Sequence, residues 1–273
     1  SLCSSCGDID LSFFLVSLNH LLNAGVTFPI EAVPLLIAFY RRNPTEFDLQ
    51  QVLSQIFIQS HDVRQSAFES GYFEIAREHP KEALLSCAAL VYNEESLQNS
   101  LYTCWGDELL YSLFSTETVT LKFFNCLVCR NAQLQLVFST SNGSDCLLDT
   151  LLRLFDGKNG NNALIISLIA AFVNVEAARK RMIFDDQIKS FVLRLSYATA
   201  RHNWSLCEDM LRLLTAFAIY KDGLHGIFEK TQILNTLETL LCFKEAFASP
   251  MLATFLHILV EDILQDVFAA DPL

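Results

Sequence analysis

Apolar residues recur along this chain at helical spacing, in runs separated by short polar breaks. Within a run they cover nearly the whole helix surface, as Ile165, Leu168 and Phe172 do in one of them. A helix that is apolar on all sides must be surrounded by other helices. The pattern therefore predicts an all-α fold in which consecutive helical units bury one continuous core.

Six such runs can be aligned with one another. They are Val52–Asp62, Leu84–Asn93, Leu121–Asn131, Ile165–Asn174, Leu211–Lys221 and Leu252–Asp262. Their first residues are 32, 37, 44, 46 and 41 positions apart. This spread brackets the period of about 40–47 residues that is typical of armadillo and HEAT repeats.

Two more helices are predicted before the first run, over Leu11–Asn23 and Ile30–Arg42, with Gly25 and Pro29 in the connection. We interpret 1–44 as an N-terminal helical hairpin or cap, and 45–268 as five to six degenerate repeats.

The breaks near 43–44, 141–144 and 157–162 are too short for interdomain linkers, so the prediction is a single helical-repeat domain over 1–273. The first residue is Ser1, not Met, and we expect the chain to be a fragment of a longer protein.

In its sequence of a run, a short helix and a Leu-rich closing segment, the chain resembles the armadillo and HEAT families. The resemblance covers roughly 45–268. It implies a right-handed α-solenoid that binds protein partners. The composition, rich in Leu, Phe and Cys, is also similar to that of large scaffolds of meiotic recombination, of the meiosis-inhibitor type, and of centriolar scaffolds.

Peptide-binding armadillo proteins carry a Trp and an Asn on each inner helix, and the Asn amides hold the backbone of an extended peptide. The corresponding positions in this chain are the third and sixth residues of each run, and neither Trp nor Asn recurs there. The third position of the runs reads Ser54, Ser86, Phe123, Ser167, Leu213 and Thr254. The sixth reads Phe57, Ala89, Cys126, Ala170, Ala216 and His257.

Without a row of Asn side chains, the backbone N–H and C=O groups of an extended peptide would lack hydrogen-bond partners. Each such buried group costs about 1–3 kcal/mol. An amphipathic helix satisfies its own backbone. We therefore predict that the six residues at the sixth position contact a helical or hydrophobic segment of a protein partner. The alternative is that these mostly small side chains only permit close helix packing.

Charge and composition exclude several classes of partner. The 31 acidic residues outnumber the 19 basic ones, for a formal net charge of -12, which argues against direct nucleic-acid binding. The longest apolar run, Ala163–Val173, is shorter than the roughly 20 residues that cross a bilayer. The 9 cysteines lie scattered through apolar segments, which favours a reducing, intracellular location, nuclear or cytoplasmic.

Chemistry-bearing motifs are sparse. Cys126 and Cys129 form one CxxC pair and Cys3 and Cys6 another. We interpret the first pair as core packing. The second lies in a polar terminus, and we interpret it as disordered or as part of a metal site shared with residues outside this chain. His225, between two glycines, is predicted to lie in a loop.

The sequence shows no nucleophile elbow, phosphate-binding loop or paired metal-ligand histidines. We predict no catalytic residues, no metal, no cofactor and no small-molecule substrate. The predicted function is a non-enzymatic interaction scaffold within an intracellular multiprotein assembly. The alternatives are a regulatory or adaptor domain of a larger enzyme, or a centriolar scaffold.

Overall fold

A computed structural model describes residues 11–140, 146–155 and 161–270 of the chain. Every regular element in these ranges is a helix, which confirms the all-α prediction. The chain divides into two compact units, residues 1–131 and 132–273. The pair Cys3 and Cys6 and the break at 141–144 lie outside the described residues.

Unit 1 contains eight of the described α-helices. They are α1 Leu11–Asn23, α2 Val33–Tyr40, α3 Phe47–Phe57, α4 His61–Glu69, α5 Tyr72–Glu78, α6 Pro80–Val91, α7 Glu95–Leu113 and α8 Thr118–Val128. A 3₁₀ turn at Ile30–Ala32 leads into α2, so the two helices predicted before the first run are confirmed. Helix α7 bends at Gly106, whose φ is 75°, a value that glycine adopts without steric cost.

Unit 2 contains the remaining nine described α-helices. They are α9 Ala132–Thr140, α10 Leu147–Leu154, α11 Asn162–Val173, α12 Glu176–Phe184, α13 Gln187–Ala200, α14 Trp204–Ala218, α15 Lys221–Lys230, α16 Ile233–Leu241 and α17 Pro250–Ala270. A 3₁₀ helix, Lys244–Ala248, precedes α17. The Asn203 side chain accepts a hydrogen bond from the Leu206 N–H at 3.2 Å and caps α14.

Each of the six apolar runs forms most of one helix: α3, α6, α8, α11, α14 and α17. In unit 1, α3 packs on α6 and α6 on α8; in unit 2, α11 packs on α14 and α14 on α17. With the two arms of α7 counted separately, these six helices occupy every third place in the order of the described α-helices. We call these six helices the third helices.

The third helices contribute much of the core. Ile165, Leu168 and Phe172 of α11 are completely buried, as are Leu213 and Phe217 of α14. Burial of a Leu, Ile or Phe side chain contributes about 1.5–3 kcal/mol, so these helices contribute a large part of the burial energy of each unit. Among the described residues no single helix is long and apolar enough to cross a membrane; α11 and α12 pass such a test only as a pair, bent by 112°.

Candidate partner-binding surface

The six predicted partner-contacting residues differ widely in exposure. His257 is exposed, and its imidazole lies 3.2 Å from the carboxylate of Glu261. Cys126 on α8, Ala170 on α11 and Ala216 on α14 are half-buried. Ala89 is 9% exposed. These five therefore range from accessible to nearly enclosed.

The sixth residue, Phe57, is 0% exposed and packs at 5.1 Å, ring centroid to ring centroid, against Tyr72. Its place in the core leaves no surface for a partner. Measured from the helix end, the residue of α3 that corresponds to Ala89 and Cys126 is Gln55, which lies two residues before the last helical residue. Phe57 is the last residue of α3 and therefore lies two residues closer to the helix end than Ala89 and Cys126 do.

Gln55 lies beside a local amide arrangement, made by Gln59, that could not be read from the runs. The side-chain amide of Gln59 accepts a hydrogen bond from the Phe28 N–H at 2.8 Å and donates one to the Val26 carbonyl at 3.4 Å. It thus holds an extended piece of the chain itself. The side-chain carbonyl of Gln55 is buried and has no hydrogen-bond partner among the described residues. The signal in the sequence is the pair of glutamines four positions apart.

A second recurring feature lies on four of the five helices that directly follow a third helix; the fifth, α15, has Leu224 at this place. The fourth residue of α4, α7, α9 and α12 is long and polar: Arg64, Gln98, Gln135 and Arg179. The Gln98 amide donates to the carbonyls of Cys126 and Cys129 at 2.8 and 3.0 Å. These carbonyls belong to the C-terminal end of α8, where no intrahelical donor is available.

Two arginines do the same at other helix ends. Arg64 donates to the Tyr92 carbonyl at 2.9 Å, and Arg179 donates to the Val173 carbonyl at 2.9 Å. Arg179 also pairs with Asp222 at 2.9 Å and lies over the Tyr220 ring at 3.8 Å from its centroid. The polar groups of these side chains already bond to the ends of neighbouring helices, so we assign them to helix capping and not to ligand binding.

Unit 1 contains a buried polar network. The Tyr72 and Ser86 hydroxyls are hydrogen-bonded, and Ser86 also contacts the side-chain carbonyl of Gln50, whose amide donates to the Pro44 carbonyl at 3.2 Å. Burial raises the pKa of Tyr40 to about 12 and that of Tyr72 well above its usual value. Both phenols stay protonated at neutral pH, and the network ties α3, α5 and α6 together.

The cysteines of the described ranges are free thiols. Cys87, Cys146 and Cys207 are buried, as expected of small core residues. Burial, and then the neighbouring Cys129, raises the pKa of Cys126 to about 11. A thiol in this state is a poor nucleophile and a poor metal ligand.

No cluster of three or more His, Cys, Asp or Glu side chains with metal-binding geometry occurs in the described part of the chain. Trp105 is 2% exposed, and its indole donates to the Phe73 carbonyl at 3.1 Å. Trp204 is half-buried beside Phe243, with ring centroids 5.6 Å apart. The indole of Trp105 is thus a core group, whereas that of Trp204 keeps an accessible surface.

Comparison with protein-family models, with curated proteins and with solved structures finds no match to this chain.

Proposed function

We propose that this protein is a non-enzymatic interaction scaffold, a right-handed α-solenoid of armadillo- or HEAT-like repeats that binds a helical or hydrophobic segment of a protein partner. The proposal rests on one observation. Equivalent third helices pack on one another, α3 on α6 on α8 in unit 1 and α11 on α14 on α17 in unit 2. Repeat proteins use such stacks to build extended binding surfaces.

The outward positions of the third helices favour a helical partner over an extended one. Ala89, Cys126, Ala170 and Ala216 offer no side-chain amide to the backbone of a ligand. A helix needs none, because its own hydrogen bonds satisfy its backbone, and small side chains allow it to approach closely. Gln55 on α3 is the exception, and it lies beside a segment of this same chain.

Substitution of half-buried alanines tests the proposal. We expect Ala170→Arg and Ala216→Arg to weaken binding of a partner identified by crosslinking mass spectrometry by about tenfold or more. The melting temperature should stay close to that of the wild type, because both positions border solvent.

Ala177→Arg is the matched control, since Ala177 is exposed on α12 and not on a third helix. Phe57→Arg marks the other extreme and should unfold unit 1. The proposal fails if the alanine variants lose stability in step with binding, or if Ala177→Arg weakens binding equally. Crosslinks only to other parts of a longer parent chain would instead support a regulatory domain.

The placement in meiotic recombination machinery, the centriolar alternative and the intracellular location stay predictions from the sequence.

A further inference from the structure

A small cavity lies in unit 2 between α14, α16, the 3₁₀ helix Lys244–Ala248 and the start of α17. Its volume is ≈ 120 Å³. Leu211, Leu240 and Leu252 form its apolar floor and are each at most 2% exposed. The half-buried Trp204 also lines the pocket, as do Glu208 and Glu245. The other lining residues are Cys207, Ala246, Ala248 and Ser249. We call this cavity the Trp204 pocket.

The size of the pocket limits what it can hold. Cofactor and drug sites span about 300–1,000 Å³, whereas an engineered cavity of about 150 Å³ takes one benzene molecule. At ≈ 120 Å³, the Trp204 pocket has room for a single side chain inserted from outside, and not for a nucleotide or a larger cofactor.

The lining selects a cation. Two carboxylates line the pocket and no basic side chain does. Neither Glu208 nor Glu245 takes part in an ion pair or a side-chain hydrogen bond with another described residue. The nearest candidate on the same helix, Arg212, is paired instead with Asp209 at 3.4 Å. An indole face and an apolar floor favour a long aliphatic stem that ends in a positive charge.

Helix dipoles do not reverse this preference. The N-termini of α14 and α17 each bring a partial charge of about +0.5 to the pocket, and the C-terminus of α16 brings about −0.5. Two full carboxylate charges exceed that sum. The formal net charge of -12 on the whole chain also favours the approach of a basic partner.

We propose that the Trp204 pocket binds the side chain of one lysine or arginine from a protein partner. The aliphatic stem lies on the leucine floor beside Trp204, and the cationic head pairs with Glu208 and Glu245. The protein origin of that side chain rests on the proposed function; the preference of the pocket for an aliphatic cation does not.

The experiment uses small probes on the full 273-residue chain. The chain has 2 tryptophans, so nitrogen-labelled protein gives one indole N–H resonance from Trp204 and one from Trp105. The probes are the Nα-acetyl amides of lysine, arginine and norleucine; the last has a comparable apolar stem but no charge. We expect the two cationic probes to shift the Trp204 resonance, with about fivefold higher affinity than norleucine, while the Trp105 resonance stays unchanged.

The double variant Glu208→Gln/Glu245→Gln should lower the affinity for the cationic probes to that of norleucine. Glu238→Gln removes an exposed carboxylate from α16 away from the pocket lining, and it should bind like the wild type. Equal binding of norleucine and lysine, no shift of Trp204 with any probe, or unchanged affinity in the double variant would each overturn the assignment.

The same probes separate the two proposals. If the cations bind selectively but the alanine variants of the third helices leave partner binding intact, the pocket assignment stands and the scaffold surface proposed above is wrong. If partner binding maps to the third helices but no probe binds, the pocket assignment is wrong and the scaffold proposal stands.

Discussion

Helix α15 contains a glycine, a residue of low helix propensity. Gly223 is the third residue of α15, and alanine in a helix interior is favoured over glycine by about 1 kcal/mol. Judged from the sequence, Gly223→Ala should stabilise the protein. The structure predicts the opposite sign, because a Cβ atom at this position would lie 2.2 Å from the carbonyl oxygen of Phe217 and 2.8 Å from its carbonyl carbon.

The obstacle is backbone and cannot rotate away. Phe217 belongs to α14, its side chain is 0% exposed, and α14 packs against both α11 and α17. Relief therefore requires movement of α15 away from α14. Overpacking of this kind costs typically 1–3 kcal/mol. With a cost of about 3 kcal/mol and a propensity gain of about 1 kcal/mol, we expect Gly223→Ala to lower the free energy of unfolding by about 2 kcal/mol.

Gly226→Ala is the matched control in the same helix. There the new Cβ would lie 3.0 Å from Ile183 Cγ2 and 3.3 Å from Ile188 Cδ1. Both are side-chain methyl groups that can give way by a few tenths of an ångström. We expect this variant to stay within about 1 kcal/mol of the wild type, because the gain in helix propensity offsets the contact.

Urea unfolding followed by fluorine NMR of fluorotryptophan-labelled protein measures the effect unit by unit. Trp204 reports on unit 2 and Trp105 on unit 1. With a urea m-value of about 2 kcal/mol/M, Gly223→Ala should lower the midpoint of the Trp204 transition by about 1 M. A midpoint at or above that of the wild type would refute the close approach of α15 and α14.

Three further perturbations probe other parts of the structure. Gln98→Ala leaves the carbonyls at the end of α8 without their donor and should cost about 1–3 kcal/mol in the Trp105 transition. Gln51→Ala, at an exposed glutamine of the same unit, should cost almost nothing, and equal effects would exclude a capping role. Burial raises the pKa of Asp209, so the folded state holds the proton more tightly and the carboxyl group destabilises the fold as pH rises above its usual range. Asp209→Asn should therefore raise the melting temperature at neutral pH, and the gain should vanish near about pH 3; a gain that is independent of pH would contradict this. With a pKa of about 11, about one Cys126 thiol in a thousand is ionised at pH 8, and mass spectrometry should find iodoacetamide on the exposed Cys242 well before Cys126.

Much of the fold could be predicted from the sequence. Each of the six apolar runs forms a helix, and the two helices before them were also predicted, because helical periodicity is a local property that one segment displays by itself. The continuous burial of Ile165, Leu168 and Phe172 was predicted for the same reason.

Local sequence patterns gave a wrong prediction where contacts with a distant segment determined the structure. His225 was predicted to lie in a loop because glycines surround it, and that prediction was wrong: it lies inside α15, where Gly223 serves the approach of α14. The burial of Phe57 was not predicted either, because nothing in the run itself shows how α3 is oriented against its neighbours. Gln55 is half-buried, whereas Phe57 is completely buried.

What the sequence by itself determined is which segments are helical and which of their sides are apolar, since both follow from the spacing of residues a few positions apart. The tertiary structure decided which polar side chains hydrogen-bond within the fold and which remain accessible to a partner. Gln98 caps a helix that begins 20 residues later, whereas Glu208 and Glu245 meet at one cavity from 37 residues apart. Such pairings depend on how helices pack against one another, and packing is decided by the fit of many side chains at once.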